Sequence, residues 1–522
     1  MIKLLKTTDK MPDSIFKSIS VGRAGELLKL EHFKQFKMLQ EELEFEYVRF
    51  HGLFHDELGI VIRDDEGKIR YRWQEIDKVF DSLKAINIRP LVELGAMPVE
   101  LASEDITIFR WNMNVSKPKD YNEWYDLVFA FVSHMVDRYG LKEVEQWRFE
   151  VWNEPNIKGF WPYDMDEYYK LYTYSAKAVK AVSETLKVGG PATAGGAYIK
   201  EIIDFCTENN VPLDFVSTHA YPVGDQCEYP DRTKAPYETG RYIRERFKEV
   251  QEIVKNSNKP ELEIHWTEWN TQSAKSQSDI DWDLDPSLGL SWSLNPTVDL
   301  HFGASSVAKE MLSVMNYCDS VAYWVVSDFF EEYGAKFTPY SCTYGMITRD
   351  GIKKATYNAY KFLRNLRGNL YKAEFEKETP MLCDVCVTEE NGIFRSVLYN
   401  HKELDVENQP DFKDTLCFDV EDGEYIATFA TIKEHQGSAY ETWLEMGYPD
   451  NLSEIQLEML KAHSIPEYRF EILNSKDNKV EIPFCIKPNE VMYVELQKKA
   501  PKGYLGAEKD KGASHLRSLL NK

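Results

Sequence analysis

The sequence predicts an α/β protein built as a (β/α)8 TIM barrel with a smaller C-terminal β-sandwich domain. Up to residue 370, short apolar runs alternate with longer stretches of helical period, the signature of βα units and a parallel sheet. Eight such runs can be counted, the number that closes a barrel. From Tyr371 onward the period changes to two, and Asn391-Gly392 between two alternating segments marks a hairpin.

The expected barrel strands are Ile19-Ser20-Val21, Phe45 to His51, Ile88 to Leu94, Phe149 to Asn153, Lys187 to Ala192, Phe215 to Tyr221, Leu262 to Trp269 and Val321 to Asp328. Amphipathic stretches such as Leu27 to Leu43, Tyr121 to Tyr139, Tyr168 to Leu186, Tyr242 to Val254, Ser306 to Tyr317 and Thr356 to Leu366 supply helices between them. Residues 1–370 are thus expected to form the catalytic barrel. Residues 371–500 are expected to form the sandwich, with strands at Ile393 to Tyr399, Tyr425 to Ile432, Val480 to Ile486 and Val491 to Leu496. A helical insert, Glu454 to His463, interrupts that module, and residues 501–522 read as a flexible tail.

Composition narrows the function classes. The chain has 522 residues, 43% hydrophobic, with 63 basic against 86 acidic side chains and a formal charge of −23. That field repels phosphate backbones and anionic membranes, so neither nucleic acid nor membrane is an expected partner. No run approaches the roughly 18 apolar residues of a membrane span. The segment Met1 to Phe16 is interrupted by Lys3, Lys6, Asp9, Lys10 and Asp13, unlike a signal peptide, so a cytoplasmic location is expected. The eight cysteines are scattered and read as reduced thiols. Cys383 and Cys386 form a lone C-x-x-C on a strand, where residues three apart face opposite ways. No second pair completes a zinc site, so no metal and no cofactor are expected.

Two carboxylates stand at the strand ends, where a barrel's chemistry sits. One lies in Phe149-Glu150-Val151-Trp152-Asn153-Glu154-Pro155-Asn156, the other in Ile264-His265-Trp266-Thr267-Glu268-Trp269-Asn270. Glu150, Trp152 and Glu154 share one parity, as do Ile264, Trp266 and Glu268, which favours inward-pointing glutamates. Strands about 4.8 Å apart and tilted about 36° give a radius near 8 Å and a chord of roughly 14 Å between strands four and seven. Each side chain reaches about 4–5 Å inward, leaving a gap of about 5 Å, close to the retaining separation, with a spread of at least about 2 Å that leaves the wider inverting spacing open as well. In that chemistry one carboxylate attacks the anomeric carbon while the other, kept protonated, protonates the leaving oxygen.

With these motifs on strands four and seven, the chain resembles the β-xylosidases of glycoside hydrolase family 39. The likeness also runs through Tyr47 to Leu53, Arg89 to Gly95, Asp214 to Tyr221, Tyr323 to Asp328 and Thr442 to Gly447. The resemblance implies a retaining β-D-xylosidase that releases xylose from the non-reducing end of small xylo-oligosaccharides. It makes Glu154 the acid/base and Glu268 the nucleophile. It further implies that Asn153 bonds the sugar 2-hydroxyl, that His219 and Tyr221 touch sugar and nucleophile, and that Trp324 forms an apolar floor. Arg49 would hold Glu268 ionised, or pair with Glu150, and His51 would bind a hydroxyl. A homo-oligomer is compatible with the resemblance. Three departures stand out: Thr218 where strand six usually carries arginine, Trp269 where tyrosine usually follows the nucleophile, and a longer loop, 272–295, with Asp279, Asp281, Trp282, Asp283, Asp285 and Trp292.

Three other readings remain. A β-glucosidase, α-L-arabinosidase or α-L-iduronidase-like enzyme of the same family would keep the carboxylate pair, although a uronide calls for a spare cation in the pocket. A metal-dependent barrel hydrolase would use His51 and His55, whose i, i+4 spacing suits a helix that Gly52 breaks. A sugar-binding protein with lapsed catalysis would not need both glutamates.

Overall fold

The structure, a computed structural model, describes residues 1–221, 242–271, 296–329, 332, 338–340, 344–380, 382–403, 406–500, 513–514 and 516–520. Eight parallel strands close a barrel in chain order: Ser18–Arg23, Tyr47–His51, Arg89–Leu94, Arg148–Val151, Lys187–Ala194, Phe215–Ala220, Glu263–Trp269 and Ser320–Trp324. Helices follow each: Leu30–Leu43, Gln74–Ala85, Tyr121–Tyr139, Met165–Val182, Ile199–Glu208, Tyr242–Lys255, Phe302–Val314 and Ala355–Arg364. Each lays an apolar stripe on the barrel, as Trp124, Leu127, Val128, Phe131, Val132 and Met135 do in the third. The fourth and eighth strands stop short of the expected Asn153 and Asp328.

The second module is a single nine-stranded, mostly antiparallel sheet that folds over its own apolar core. Phe394 and Phe418, four strands apart in the sheet order, bring their rings to 5.2 Å. The other face packs on the barrel, since Val397, Tyr399, Ala430, Ile432, Val491 and Tyr493 join the barrel's apolar cluster. The expectation of a barrel starting at residue 1 is corrected at the first strand. Ile2–Lys10 belongs to this sheet, antiparallel to Asn369–Phe375 and parallel to Phe412–Asp419. Ile2 and Leu4 enter the second core while Lys3 and Leu5 face outward, a short alternation of period two. The expected helix Glu454–His463 is present, with a Ser453/Gln456 capping box.

The barrel interior is polar at both ends. Near the strand starts, Glu263 accepts from Arg148 at 2.7 Å and pairs with Lys187 at 2.5 Å, with His265 at 3.1 Å. The strand ends carry a second cluster, described next.

Candidate active site

Backbone irregularities place the two glutamates. The fourth strand ends at Val151, and Trp152 takes a left-handed φ of 68°. Its ring swings out against Trp124 and Trp161, and its Nε1 donates to the Phe160 carbonyl at 3.0 Å. The chain then returns over the barrel mouth. Glu154, with φ of 44°, donates its amide to Ala192 O at 2.9 Å. Asn156 fixes the turn by accepting from Ala194 N at 2.9 Å and donating to Ala194 O at 3.2 Å.

On strand seven the register slips by one residue: Thr218 pairs with Trp266, but His219 pairs with Glu268. Trp266 therefore faces out, stacked on Phe247 at 3.9 Å, while Thr267 faces in and donates to Glu150 at 2.8 Å. Glu268 also faces in, and Trp269 turns out again to donate to the Tyr360 hydroxyl. Trp152 and Trp266 thus share the glutamates' parity but not their direction, contrary to the alternation expected from the sequence. Left-handed turns and a slipped register bring Glu154 and Glu268 together instead.

Arg49, on strand two, is the hub. Fully buried, it donates from Nε to Glu150 at 2.5 Å, from Nη1 to Glu268 at 2.7 Å and from Nη2 to Asn153 Oδ1 at 2.8 Å. Nη2 also lies 2.8 Å from Glu93. Arg49 contacts Glu268 and Glu150 at once, because a guanidinium has enough donors for several acceptors. With Oδ1 of Asn153 on Arg49, its Nδ2 is the group that can donate to a sugar. Glu93 in turn meets His51 Nδ1 at 2.6 Å. Burial pushes the Glu93 carboxyl up, but the positive charges of His51 and Arg49 outweigh it and hold the group below the usual carboxylate range.

Glu268 accepts from Tyr221 at 2.6 Å on the oxygen that Arg49 leaves free. His219 Nδ1 lies 2.9 Å from Glu154 and 3.6 Å from Glu268. Burial lowers the His219 ring to about 4, so a neutral imidazole faces the acid. Glu154 itself is pushed up to about 7, first by burial, with opposing pulls from His51 and Arg49 and a push from Glu93. One ligand atom each of Glu154, His219 and Glu268 lies within 4.8 Å of the others. That nearest-atom spacing suits direct attack by one carboxylate on a carbon whose leaving group the other serves as proton donor.

All eight expected site residues meet at this mouth. Trp324 is buried, with its ring 4.6 Å from that of His51, and Asn270 holds its carbonyl. Sequence reasoning assigned no role to Glu93, Thr267, Asn156 or Asn270. Glu93 could have been found from its place beside Glu150 in the register of strands three and four. Two departures turn away from the pocket. Thr218 ties strand six to strand five through Thr193 O at 2.6 Å, and Trp269 packs against Tyr323. The loop 272–295 lies outside the described residues. His55 does not join His51 as a ligand pair; its ring sits edge-on to Trp111 at 4.9 Å and its Nδ1 accepts from Glu57 N. The trio of Glu154, His219 and Glu268 is compact enough for a metal ion. Arg49, however, already supplies Glu268 with a cation, and a second charge there would be repelled.

The raised acid predicts a pH profile. A proton donor must be protonated, so kcat/KM should fall as pH rises through about 7. The variant Glu154→Gln, measured on a leaving group too acidic to need protonation, should retain residual activity without that basic limb. An unchanged limb would show that another group sets it.

The Glycosyl hydrolases family 39 profile matches residues 2–478. The chain is 34% identical over 494 residues to a "Beta-xylosidase" of Geobacillus stearothermophilus, covering 92% of each chain. It is 32% identical to a "Beta-xylosidase" of Caldicellulosiruptor saccharolyticus, over 92% of this chain and 94% of that one. A solved monomeric beta-xylosidase from Caulobacter crescentus CB15 superimposes with a TM-score of 0.80 at 30% identity, covering 96% of this chain and 99% of the other. With the fold, the carboxylate pair and these matches together, the chain belongs to glycoside hydrolase family 39.

Proposed function

We propose that the protein is a retaining β-D-xylosidase that releases xylose from the non-reducing end of short xylo-oligosaccharides by double displacement. The observation that carries the reading is the juxtaposition of two carboxyl groups in unlike surroundings, within 4.8 Å at their nearest ligand atoms. Glu268, held by Arg49 and Tyr221, attacks the anomeric carbon as the carboxylate. Glu154, buried and raised, gives its proton to the leaving oxygen, and the C–O bond to the aglycone breaks as the glycosyl-enzyme ester forms. The deprotonated Glu154 then takes a proton from water, which attacks the same carbon and frees Glu268. The two inversions together retain the β configuration.

Asn153 presents Nδ2 to the 2-hydroxyl, where a hydrogen bond strengthens as positive charge develops in the ring. His51, fixed by Glu93, receives a further hydroxyl, and Trp324 offers an apolar surface beneath the sugar. The choice of xylose is supported by the two β-xylosidases to which the chain is similar over nine-tenths of its length. A uronide is disfavoured: Arg49 is held by carboxylates, and Arg23, beside His51 in the register, donates to Glu26 and Glu57. The reading places the enzyme in the cytoplasm, acting on fragments of xylan; buried thiols such as Cys206 suit a reducing compartment. Among the described residues no helix is long and apolar enough to cross a membrane.

A panel of nitrophenyl glycosides tests the proposal, with the product anomer followed by NMR. The β-xyloside should be cleaved with the highest kcat/KM, and β-xylose should appear before mutarotation. First-formed α-xylose would overturn the mechanism, and a better β-glucoside or α-L-arabinoside would overturn the sugar.

A further inference from the structure

The two oxygens of Glu268 mark the two edges of a sugar bound at the mouth. Oε1 accepts from Arg49 at 2.7 Å, and the same guanidinium holds Asn153 Oδ1 at 2.8 Å. Oε2 accepts from Tyr221 at 2.6 Å. With Asn153 on the 2-hydroxyl, the Oε1 side of the nucleophile lies under C2. The anomeric carbon has two ring neighbours, C2 and the ring oxygen. The Oε2 side therefore lies under the ring oxygen and, next to it, C5. This orientation rests on the xylosidase reading proposed above.

Tyr344 stands on that second side. It lies half-buried in the loop after strand eight and packs, with Tyr221, on the buried pair Trp324 and Val325. Its ring centroid is 6.2 Å from that of Tyr221, with 62° between the planes. Burial pushes its phenol up, and the carboxylates of Glu332, Glu268 and Glu154 add to the rise, as befits a ring that borders the catalytic pair. The backbone behind it is pinned. Tyr344 O accepts from Val325 N at 3.2 Å and from Asn270 Nδ2 at 3.4 Å, and Met346 N donates to Val325 O at 3.0 Å. Gly345 N donates to Asp328 Oδ1 at 2.9 Å, and a Cβ on Gly345 would collide with the Asp328 amide nitrogen, so glycine is what lets the two segments meet. Tyr344 is thus a side wall set beside the Trp324 floor, on a backbone with little room to retreat.

We propose that the Tyr344 ring closes the pocket against any substituent on C5 and so sets the preference for a pentose. A β-xyloside and a β-glucoside agree in configuration from C1 to C4. They differ at C5, where glucose carries a hydroxymethyl group and xylose a second hydrogen. A wall along the ring-oxygen edge admits the hydrogen and meets the hydroxymethyl group, while the C2 edge held by Asn153 treats the two sugars alike. Forcing an extra carbon into a filled, rigid pocket is costly, because the neighbours must move off their own packing.

The measurement is the kcat/KM of the nitrophenyl β-glucoside divided by that of the nitrophenyl β-xyloside. Both rates come from one preparation, so the ratio does not depend on how much of a variant folds. Tyr344→Ala should raise the ratio by roughly tenfold or more, because the wall is gone. Tyr344→Phe, which keeps the ring, should hold the ratio within about twofold of the wild type, whatever happens to the separate rates. The nitrophenyl α-L-arabinopyranoside distinguishes a C5 wall from a general loosening. It is a pentoside that differs from the β-xyloside only at C4, so its ratio to the xyloside should stay within about twofold in Tyr344→Ala. An unchanged glucoside ratio in Tyr344→Ala would overturn the proposal, as would an arabinopyranoside ratio that rises with it. A Tyr344→Phe ratio as high as that of Tyr344→Ala would also overturn it, by moving the effect from the ring to the hydroxyl. A wild type that prefers the glucoside would instead overturn the xylosidase reading beneath it.

Discussion

Azide added to the Glu268→Gly variant is expected to give α-xylosyl azide, whereas azide added to Glu154→Ala should give β-xylosyl azide. Without an external anion, Glu268→Gly should lose at least about 10⁴-fold in kcat, since no group remains to attack. Its cavity lies on the α face, where the Glu268 carboxylate stood. Azide bound there attacks the anomeric carbon once, Glu154 protonates the departing oxygen, and the configuration inverts. In Glu154→Ala the first displacement still occurs when the leaving group is a good one, such as a nitrophenolate. The loss should be about 10²–10⁴-fold on an alkyl xyloside and much less on the nitrophenyl one, because only the former needs a proton. The glycosyl-enzyme then waits for a nucleophile on the β face, and azide, needing no general base, replaces water with net retention. Two opposite anomers from one reagent separate the roles. If both variants gave the same anomer, the assignment of acid and nucleophile to Glu154 and Glu268 would fail.

The chemistry was more legible in the sequence than the geometry that delivers it. Trp-Asn-Glu-Pro-Asn and Thr-Glu-Trp-Asn mark the ends of strands four and seven. Strand spacing alone puts their carboxylates about 5 Å apart, against ligand atoms within 4.8 Å in the structure. Alternation predicts direction only while the backbone stays extended, and it ends at Val151 and slips at Thr267. Both events depend on neighbouring strands. Glu93 escaped notice because its role is relational: it matters only once Arg49 and His51 converge on it. The place of Ile2–Lys10 in the second module is not legible in the sequence, because its partners, Asn369–Phe375 and Phe412–Asp419, lie hundreds of residues away. A nine-residue run carries no trace of such pairing beyond the burial of Ile2 and Leu4.

Removal of Arg49 should be costly to both stability and rate. Glu93, Glu150 and Glu268 are all buried, and Arg49 is paired with each of them. Arg49→Met removes that cation while leaving the volume roughly filled, so the loss is chiefly electrostatic. Stripping one partner from a buried ionic group typically costs about 3–5 kcal/mol. The sign of the pH dependence follows from Glu93, whose carboxyl is held low in the native protein. A depressed carboxylate contributes stability above its unfolded value and loses it as pH falls through the folded one. Without Arg49 it is chiefly His51 that still lowers the Glu93 carboxyl, so that contribution shrinks. The deficit relative to wild type should therefore be full at neutral pH and shrink as pH falls below the ordinary carboxylate value of 4.5, read as urea midpoints on either side of it. Arg49→Lys separates charge from geometry. An ammonium can restore part of the stability but cannot reach Glu150, Glu93, Glu268 and Asn153 together as the planar fork does. Its kcat should stay well below wild type even where its stability is recovered. A small, pH-independent deficit in Arg49→Met, or full activity in Arg49→Lys, would mean that Arg49 fills space rather than organising the charge on Glu268.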